Sequence, residues 1–227
     1  MKTVIITGTS KGIGLATAKK FLDEGWRVIG TYLNNTSIPI KHENLVAFQY
    51  DQADSDSIES FADEVGVVAP QLDALINNAG ILLDAKDDTA DSTKVRKTLE
   101  VNVVGVVNLT ERLLPLMHKG THIVNMNSGH GVVSKPIFDD ASAAGYRISK
   151  AGLNMYTRHL AFRLEPKGIL VSSLAPGWVS TDMGNAIATE TKKPDRTPSQ
   201  AAQEIFDLVT KVTETGQFWK HGEKTDW

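Results

Sequence analysis

The alternation of short apolar runs with longer amphipathic segments is the feature that most constrains the fold of this chain. Six runs rich in β-branched residues have the length and composition of buried strands; they cover about 3–7, 27–32, 45–50, 73–76, 122–126 and 169–174. Helical periodicity fills the intervals at about 12–24, 55–65, 91–114, 146–164 and 198–212. Parallel strands require crossovers, and right-handed crossovers place helices on both faces of a sheet. The pattern therefore predicts an α/β fold with a doubly wound parallel sheet.

The chain length and one irregular segment indicate a single domain. The 227 residues fit one doubly wound domain, which we expect to span 1–227. The stretch at 180–198 lacks periodicity, and only about 30 residues follow it, too few for a second hydrophobic core. We therefore expect 180–198 to be a mobile loop over a substrate site.

Composition excludes several classes of protein. Hydrophobic residues make up 41% and charged residues 22%, which is typical of a globular chain and not of a disordered or fibrous one. The 24 Lys and Arg against 27 Asp and Glu lack the basic excess of a nucleic-acid binder. The absence of cysteine excludes disulfides and thiolate chemistry, and the six histidines show no metal-binding spacing. No apolar run has the length of a membrane span, so we expect a cytoplasmic protein without nucleic-acid or membrane partners.

A glycine-rich turn follows the first predicted strand. The sequence Gly8-Thr9-Ser10-Lys11-Gly12-Ile13-Gly14 opens the first amphipathic helix. Glycines in this position let the backbone approach a pyrophosphate at the positive end of a helix. The same residues also suit an ordinary strand-to-helix turn. Their place between a strand and a helix favours dinucleotide binding.

The end of the second strand bears on which dinucleotide is bound. An NAD site usually places an acid there, but the strand ends at Tyr32-Leu33-Asn34. Lys11 in the glycine turn is able to pair with a 2'-phosphate, with Asn34 or Asn35 donating hydrogen bonds. The pattern favours NADP(H), with NAD(H) as the alternative if Lys11 is only a solvated loop residue.

Polar residues also follow the third and fourth strands. Asp51 is suited to accept a hydrogen bond from an adenine amino group, or alternatively to cap the next helix. Asn77-Asn78-Ala79-Gly80 is a small-residue turn that allows backbone approach to a ribose, although such a sequence also makes ordinary turns.

Three residues suggest proton chemistry. Ser128 follows the fifth strand, and Tyr146 and Lys150 lie four residues apart on one face of a predicted helix. A nearby ammonium favours the phenolate, so we expect the Tyr146 pKa to lie closer to neutrality than its usual value. A serine hydroxyl is able to hold a substrate carbonyl oxygen. Ser134 and Ser142, which also lie between the fifth strand and Tyr146, compete with Ser128 for this role.

In combination these motifs resemble the short-chain dehydrogenase/reductase family, and the resemblance covers essentially the whole chain. The tail is similar to the carbonyl-reductase-like branch that includes sniffer and C-factor. The motifs that carry the resemblance are Thr7-Gly8-x-x-x-Gly12-x-Gly14, Asn77-Asn78-Ala79-Gly80, Ser128, Tyr146-x-x-x-Lys150, Pro176-Gly177 and the segment through Gly184.

The resemblance implies a Rossmann-like fold and hydride transfer between a nicotinamide and an aldehyde or ketone, or the corresponding alcohol. It implies that Tyr146 protonates the alkoxide, that Ser128 orients the carbonyl, and that Lys150 binds the nicotinamide ribose and lowers the Tyr146 pKa. Asn102 matches the position that holds a relay water. The remaining cofactor contacts that it implies are Asp51 with Gln52 beside it, Gly8, Ser10, Lys11, Gly12, Ile13, Gly14, Asn78, Ala79, Gly80, Pro176, Gly177, Val179 and Thr181.

Assembly and two other functions follow as hypotheses. In the resembled family the helices at 91–114 and 146–164 often pair across a dimer, and we expect a homodimer or homotetramer. The apolar residues behind this expectation are Val95, Leu99, Val103, Val106, Leu113, Met155, Leu160 and Leu164. A dinucleotide sensor with little turnover is the alternative function. A Ser-Lys hydrolase is a weaker one because it leaves the glycine turn unexplained.

Overall fold

The computed structural model describes residues 1–33, 36–134 and 142–227. Within these residues eight strands form one sheet, in the order β3-β2-β1-β4-β5-β6-β7-β8. Strands β1 to β7 are parallel, and β8 pairs antiparallel with β7. The strands are β1 Thr3–Ile6, β2 Arg27–Tyr32, β3 Leu45–Gln49, β4 Leu72–Asn77, β5 Met117–Met126, β6 Leu170–Ala175, β7 Gln217–Lys220 and β8 Glu223–Thr225.

Helices lie between most of the consecutive parallel strands. None of the helices in the described part of the chain has both the length and the apolarity needed to cross a bilayer. They are α1 Gly12–Asp23, α2 Ser55–Val68, α3 Ser92–Leu99, α4 Gly105–Leu113, α5 Ala144–Leu164, α6 Asp182–Ala186 and α7 Pro198–Lys211.

Two hydrophobic layers sandwich the sheet because successive strand residues point to opposite faces. In β1, Ile5 packs in the layer formed with α2, α4 and α5. Val4 and Ile6 pack in the opposite layer with α1 and α7. All three side chains are fully buried, which explains why the strand reads as an unbroken apolar run. The chain reverses its direction of winding between β1 and β4, and this switch point is where α/β sheets open a ligand cleft.

The structure confirms the predicted α/β class and corrects its details. All six predicted strands are present, although β5 begins five residues earlier than its apolar pattern indicated. Strands β7 and β8 were missed because they have only four and three residues, too few to show a pattern. The sheet is therefore parallel except for its last edge strand.

The helix predicted at 91–114 is interrupted. A π-helical turn at Glu100–Val104 separates α3 from α4. The turn brings the polar Asn102 into a buried position, where it is only 1% exposed. Single π-helical turns of this kind are frequent at functional sites. Residue periodicity does not reveal the turn, because apolar residues continue on both sides of it.

The predicted loop at 180–198 is partly regular. It contains the short helix α6, and Pro198 is already the first residue of α7. Thr197 caps α7 in a capping box with Gln200, which stabilises the helix start. The irregular part is therefore shorter than the composition indicated.

Gly105 directly follows the π-helical turn and lies against the backbone of Gln52. This contact leads to a prediction about stability. A Cβ atom at Gly105 would lie 2.0 Å from the Gln52 carbonyl oxygen, whereas one at Gly66 in α2 would meet nothing within 4 Å. We expect Gly105→Ala to lower the free energy of unfolding by about 2–3 kcal/mol, because the backbone must shift. The matched Gly66→Ala should raise it by about 0.5–1 kcal/mol. Urea denaturation measures both; equal effects would contradict the packing described.

Candidate active site

A cleft of about 1950 Å³ opens at the carboxyl ends of the strands. The glycine turn lines one side, and the residues that follow β4, β5 and β6 line the rest. The sequence motifs that are separate along the chain therefore share one cavity. The lining includes Gly8, Ser10, Lys11, Gly12, Ile13, Gly14, Asp51, Gln52, Asn78, Ala79, Gly80, Ser128, Tyr146, Lys150, Pro176, Gly177, Val179 and Thr181.

The glycine turn is tightly folded against the end of β4. Gly8 has φ +72°, and a Cβ atom at Gly14 would lie 2.1 Å from the Gly8 carbonyl oxygen. Asn78 Nδ2 donates to the carbonyl oxygens of Thr7 and Gly8. In return, Thr7 Oγ1 accepts hydrogen bonds from the backbone N–H groups of Asn78 and Ala79. Larger residues at Gly8 or Gly14 would break this junction.

The start of α1 has the features of a pyrophosphate cradle. Lys11 is its N-cap and makes no side-chain capping hydrogen bond, so it leaves the first N–H groups of the helix without a side-chain acceptor. These groups carry the positive end of the helix dipole. Gly12, with φ +60°, has no side chain, so it does not block the approach to these N–H groups. The donor set fits the phosphates of a dinucleotide.

Lys11 has a protein partner in this structure. Its ammonium lies 2.6 Å from a carboxylate oxygen of Asp182 in α6, and both side chains are largely exposed. The Lys11 ammonium holds the pKa of Asp182 below its usual value. Exposed ion pairs contribute little stability, so Lys11 remains available to an anionic ligand in the cleft. Asn34, expected beside it, lies outside the described residues.

Asp51 and Gln52 have different environments. Asp51 does not cap α2: the cap is Asp54, whose carboxylate accepts from the N–H groups of Asp56 and Ser57. The capping alternative for Asp51 was therefore wrong. Gln52 is buried and donates from Nε2 to the carbonyl oxygens of Ala79 and Val101. Its amide nitrogen thus supports the floor of the cleft.

Asn102 links that floor to the helix that carries Tyr146. Its Oδ1 accepts from the Ile81 N–H at 2.8 Å, and its Nδ2 donates to the Ile81 carbonyl and to Ser149 Oγ. A Cβ atom at Gly80 would lie 3.1 Å from Asn102 Oδ1. The side chain is thus held by protein groups. Its role with a relay water stays a prediction.

The predicted proton-transfer residues lie together. Tyr146 is in the first turn of α5, and the Ser128 hydroxyl is close enough to the Tyr146 hydroxyl to influence its pKa. Lys150, one turn later, places its Nζ 5.5 Å from the Tyr146 ring centroid and donates to the Met126 carbonyl at 2.8 Å. Of the rival serines, Ser142 also lines the cleft, and its carbonyl accepts from Arg147 Nε. Ser134, whose N–H donates to the Trp227 carbonyl, is not among the described residues that line the cleft.

The pKa of Tyr146 differs from the value expected for a tyrosine next to Lys150. Burial raises the pKa of Tyr146 to about 12, and the nearby Ser128 hydroxyl opposes this only in part. Burial lowers the pKa of Lys150 to about 8. The expected lowering of the Tyr146 pKa was therefore wrong for this state of the protein, because the cost of desolvating a phenolate exceeds the benefit of its neighbours.

The segment after β6 is anchored by an ion pair that the sequence analysis missed. Arg196 Nη1 donates to the Pro176 carbonyl and to Glu204 Oε2 in α7. Val179 also bridges to Arg196 through the backbone, and Thr181 caps α6. Twenty residues separate Pro176 from Arg196, so no local spacing signals their contact.

Comparison with known proteins identifies the family. The family model described as short chain dehydrogenase matches residues 2–192. The chain belongs to this family. It is 30% identical to the 3-oxoacyl-[acyl-carrier-protein] reductase FabG of Staphylococcus aureus, over 96% of this chain and 89% of that protein.

Solved structures with the same fold include two carbonyl reductases. An NADPH-bound carbonyl reductase from chicken fatty liver superposes with a TM-score of 0.88 at 26% identity, covering 100% of this chain and 99% of the other. The carbonyl reductase Sniffer of D. melanogaster superposes with a TM-score of 0.86 at 26% identity, covering both chains completely. The expected single-domain Rossmann-like fold is confirmed. The protein is an NAD(P)-dependent short-chain dehydrogenase/reductase.

Proposed function

We propose that this protein is an NADPH-linked reductase of aldehydes or ketones with Tyr146 as its general acid. The grouping of Ser128, Tyr146 and Lys150 in the cleft that the glycine turn also lines carries the proposal. The names of its relatives support a carbonyl substrate, since they are 3-oxoacyl and carbonyl reductases.

The cleft residues fit the parts of a dinucleotide. The N–H groups at the start of α1 would hold the pyrophosphate, and Asp51, which also lines the cleft, would accept from the adenine. Lys150 would hold the ribose next to the nicotinamide, and Val179 and Thr181 would contact the carboxamide. When bound, NADPH supplies the hydride that reduces the carbonyl carbon.

The protein residues supply and stabilise the proton. With its pKa raised to about 12, Tyr146 is a neutral phenol near pH 7, which is the state that a general acid requires. The hydroxyls of Ser128 and Tyr146 both donate to the substrate carbonyl oxygen and stabilise the charge that develops on it. The Tyr146 proton passes to this oxygen to give the alcohol. The Lys150 ammonium, 5.5 Å from the ring centroid, stabilises the phenolate that remains.

The segment from Ser180 to Thr197 is part of the proposal as a substrate loop. The backbone bridge between Val179 and Arg196 ties its two ends together. Met183 in α6 lines the cleft and is 37% exposed, so the loop offers an apolar surface to a substrate. We propose that the loop moves over the bound substrate and excludes water.

Replacing the proposed acid tests the mechanism. We expect Tyr146→Phe to lower kcat for carbonyl reduction by at least ~100-fold, because the phenol proton is lost. NADPH binding, followed by cofactor fluorescence, should change little. Tyr156→Phe is the matched control on the same helix, because the Tyr156 hydroxyl donates to Glu111 instead of facing the cleft. Near-normal turnover of Tyr146→Phe would contradict the mechanism, and NADPH binding without oxidation by any carbonyl would favour a sensor.

The role of Lys11 predicts cofactor selectivity. We expect Lys11→Met to raise the Kd for NADPH by about tenfold or more and to leave the Kd for NADH unchanged, because only NADPH carries the 2'-phosphate. Asp182→Asn should shift the NADPH Kd the opposite way, since it frees Lys11. Lys19→Met, which removes another exposed cleft lysine, is the control. Equal losses of affinity for NADPH and NADH in Lys11→Met would contradict the proposed contact between Lys11 and the 2'-phosphate.

The surface of α5 supports a homo-oligomer. Four of the apolar residues that were expected at a subunit interface are instead buried in the core and leave no surface for a partner: Val106, Leu113, Leu160 and Leu164. Instead, Ile148, Met155 and Phe162 recur every seven residues on α5, with 50%, 63% and 81% of their surfaces exposed. Such a stripe is suited to pair with a second copy of this chain.

Sedimentation measures this association. At micromolar concentration we expect two or four times the 24.7 kDa mass of the chain, and Phe162→Glu should lower it to the monomer. Val67→Glu places the same charge on α2, where the side chain is 84% exposed, and should have no effect. A wild-type monomer would refute the proposal.

A further inference from the structure

A pair of buried asparagines joins the loop that carries Ser128 to the helix that carries Tyr146 and Lys150. Asn127 directly precedes Ser128, and Asn154 lies one turn after Lys150 on α5. Both side chains are 4% exposed. Asn127 Nδ2 donates to Asn154 Oδ1 at 2.6 Å and to the Lys150 carbonyl at 3.2 Å. The two elements are thus linked by direct side-chain bonds, 23 and 27 residues apart in sequence.

The remaining polar atoms of the pair also bind the site. Asn127 Oδ1 accepts from the N–H of Ser128 at 2.9 Å. Asn154 Nδ2 donates to the Gly131 carbonyl at 3.1 Å, so it holds the far end of the same loop. Ser173 Oγ in β6 donates to Asn154 Oδ1 at 2.8 Å. Each side-chain nitrogen faces a carbonyl oxygen, and each side-chain oxygen faces a donor, so the orientation of both amides is fixed by their partners.

Loop and helix are in contact as well as hydrogen-bonded. A Cβ atom at Gly131 would lie 2.6 Å from the Lys150 carbonyl carbon. The loop therefore packs on the backbone of Lys150 with no room for a side chain. Lys150 Nζ also donates to the Met126 carbonyl at the end of β5, and the His130 ring lies against that of Tyr146. The asparagine bonds add the direct link from the residue before Ser128 to the second and third turns of α5, so we expect their loss to change the separation between Ser128 and this helix.

We propose that Asn127 and Asn154 are positioning residues that set where the Ser128 hydroxyl lies relative to Tyr146 and Lys150. They act through Ser128 and α5 and do not touch the reacting atoms. The inference rests on the proposed function, since it concerns the geometry of the same proton transfer. Misplacement of a reacting group by about 1 Å costs on the order of 100-fold in rate.

Alanine variants of both residues test the pair. We expect Asn127→Ala and Asn154→Ala each to lower kcat by about 10- to 100-fold, with an NADPH Kd within about twofold of the wild type. The double variant should lose little more than either single one, because residues that act as a unit are not additive. The solvent deuterium isotope effect on kcat should rise in all three, since proton transfer becomes slower.

A neighbouring layer provides the matched control. Asn125 is fully buried and bonds to Asn77 and Thr157, one step further from the cleft. Asn125→Ala should destabilise the protein to a similar extent and leave kcat and the isotope effect near wild-type values. If Asn154→Ala does not fold, Ser173→Ala removes only one hydroxyl donor and should lower kcat about threefold.

The outcomes separate the two proposals. If Tyr146→Phe retains turnover, the proposed function fails whatever the asparagine variants do. If Tyr146→Phe is inactive and the Asn127 and Asn154 variants keep the wild-type kcat and isotope effect, only the positioning role is overturned. A loss of kcat equal to that of Asn125→Ala would also overturn it, because the effect would then follow stability alone.

Discussion

The junction between the first and fourth strands is the contact on which the rest of the site depends. The chain changes its direction of winding there, and the sheet leaves a gap at its carboxyl edge. Thr7 and Asn78 close this junction with four hydrogen bonds between side chain and backbone. Because Gly8 and Gly14 have no side chains, the glycine turn fits against Asn78 and directs the start of α1 towards the gap. The cofactor cradle and the floor of the cleft are thus built by one set of contacts.

Burial, and not the neighbouring cation, dominates the electrostatics of the proton-transfer pair. Spacing along a helix correctly places Tyr146 and Lys150 on one face, but it carries no information about solvent. The two groups lose hydration together, so the Tyr146 pKa rises while the Lys150 pKa falls. Both shifts favour neutral forms before a ligand is bound. A bound cofactor and substrate would change the protonation equilibrium of Tyr146, because an alkoxide next to the phenol is a stronger base than water and would accept its proton.

A structural feature could be predicted from the sequence when the residues that form it lie close together along the chain. Buried strands such as Thr3–Ile6 are visible because several β-branched residues follow one another. The glycine turn is visible because its function requires residues without side chains at fixed spacing. The π-helical turn around Asn102, the link from Arg196 to Pro176 and the link from Asn127 to Asn154 join distant segments. Their partners are chosen by the fold, so single residues such as Asn154 look like ordinary helix surface in the sequence.

The buried asparagines also explain why the site is polar below its surface. An apolar layer between β5 and α5 would give more hydrophobic stabilisation but would leave the sliding of α5 along the sheet weakly restrained. Directional bonds from Asn127 and Asn154 favour one register, since Asn127 has both of its donors and its acceptor engaged, and Asn154 donates once and accepts twice. In the adjacent layer, Asn77 Oδ1 is buried and has no hydrogen-bond partner in the described part of the chain, which is a cost that an apolar residue would avoid. Because buried amides carry such costs, the Asn127 and Asn154 pair, whose bonds reach the backbone of Ser128 and Lys150, is better explained by positional precision than by stability.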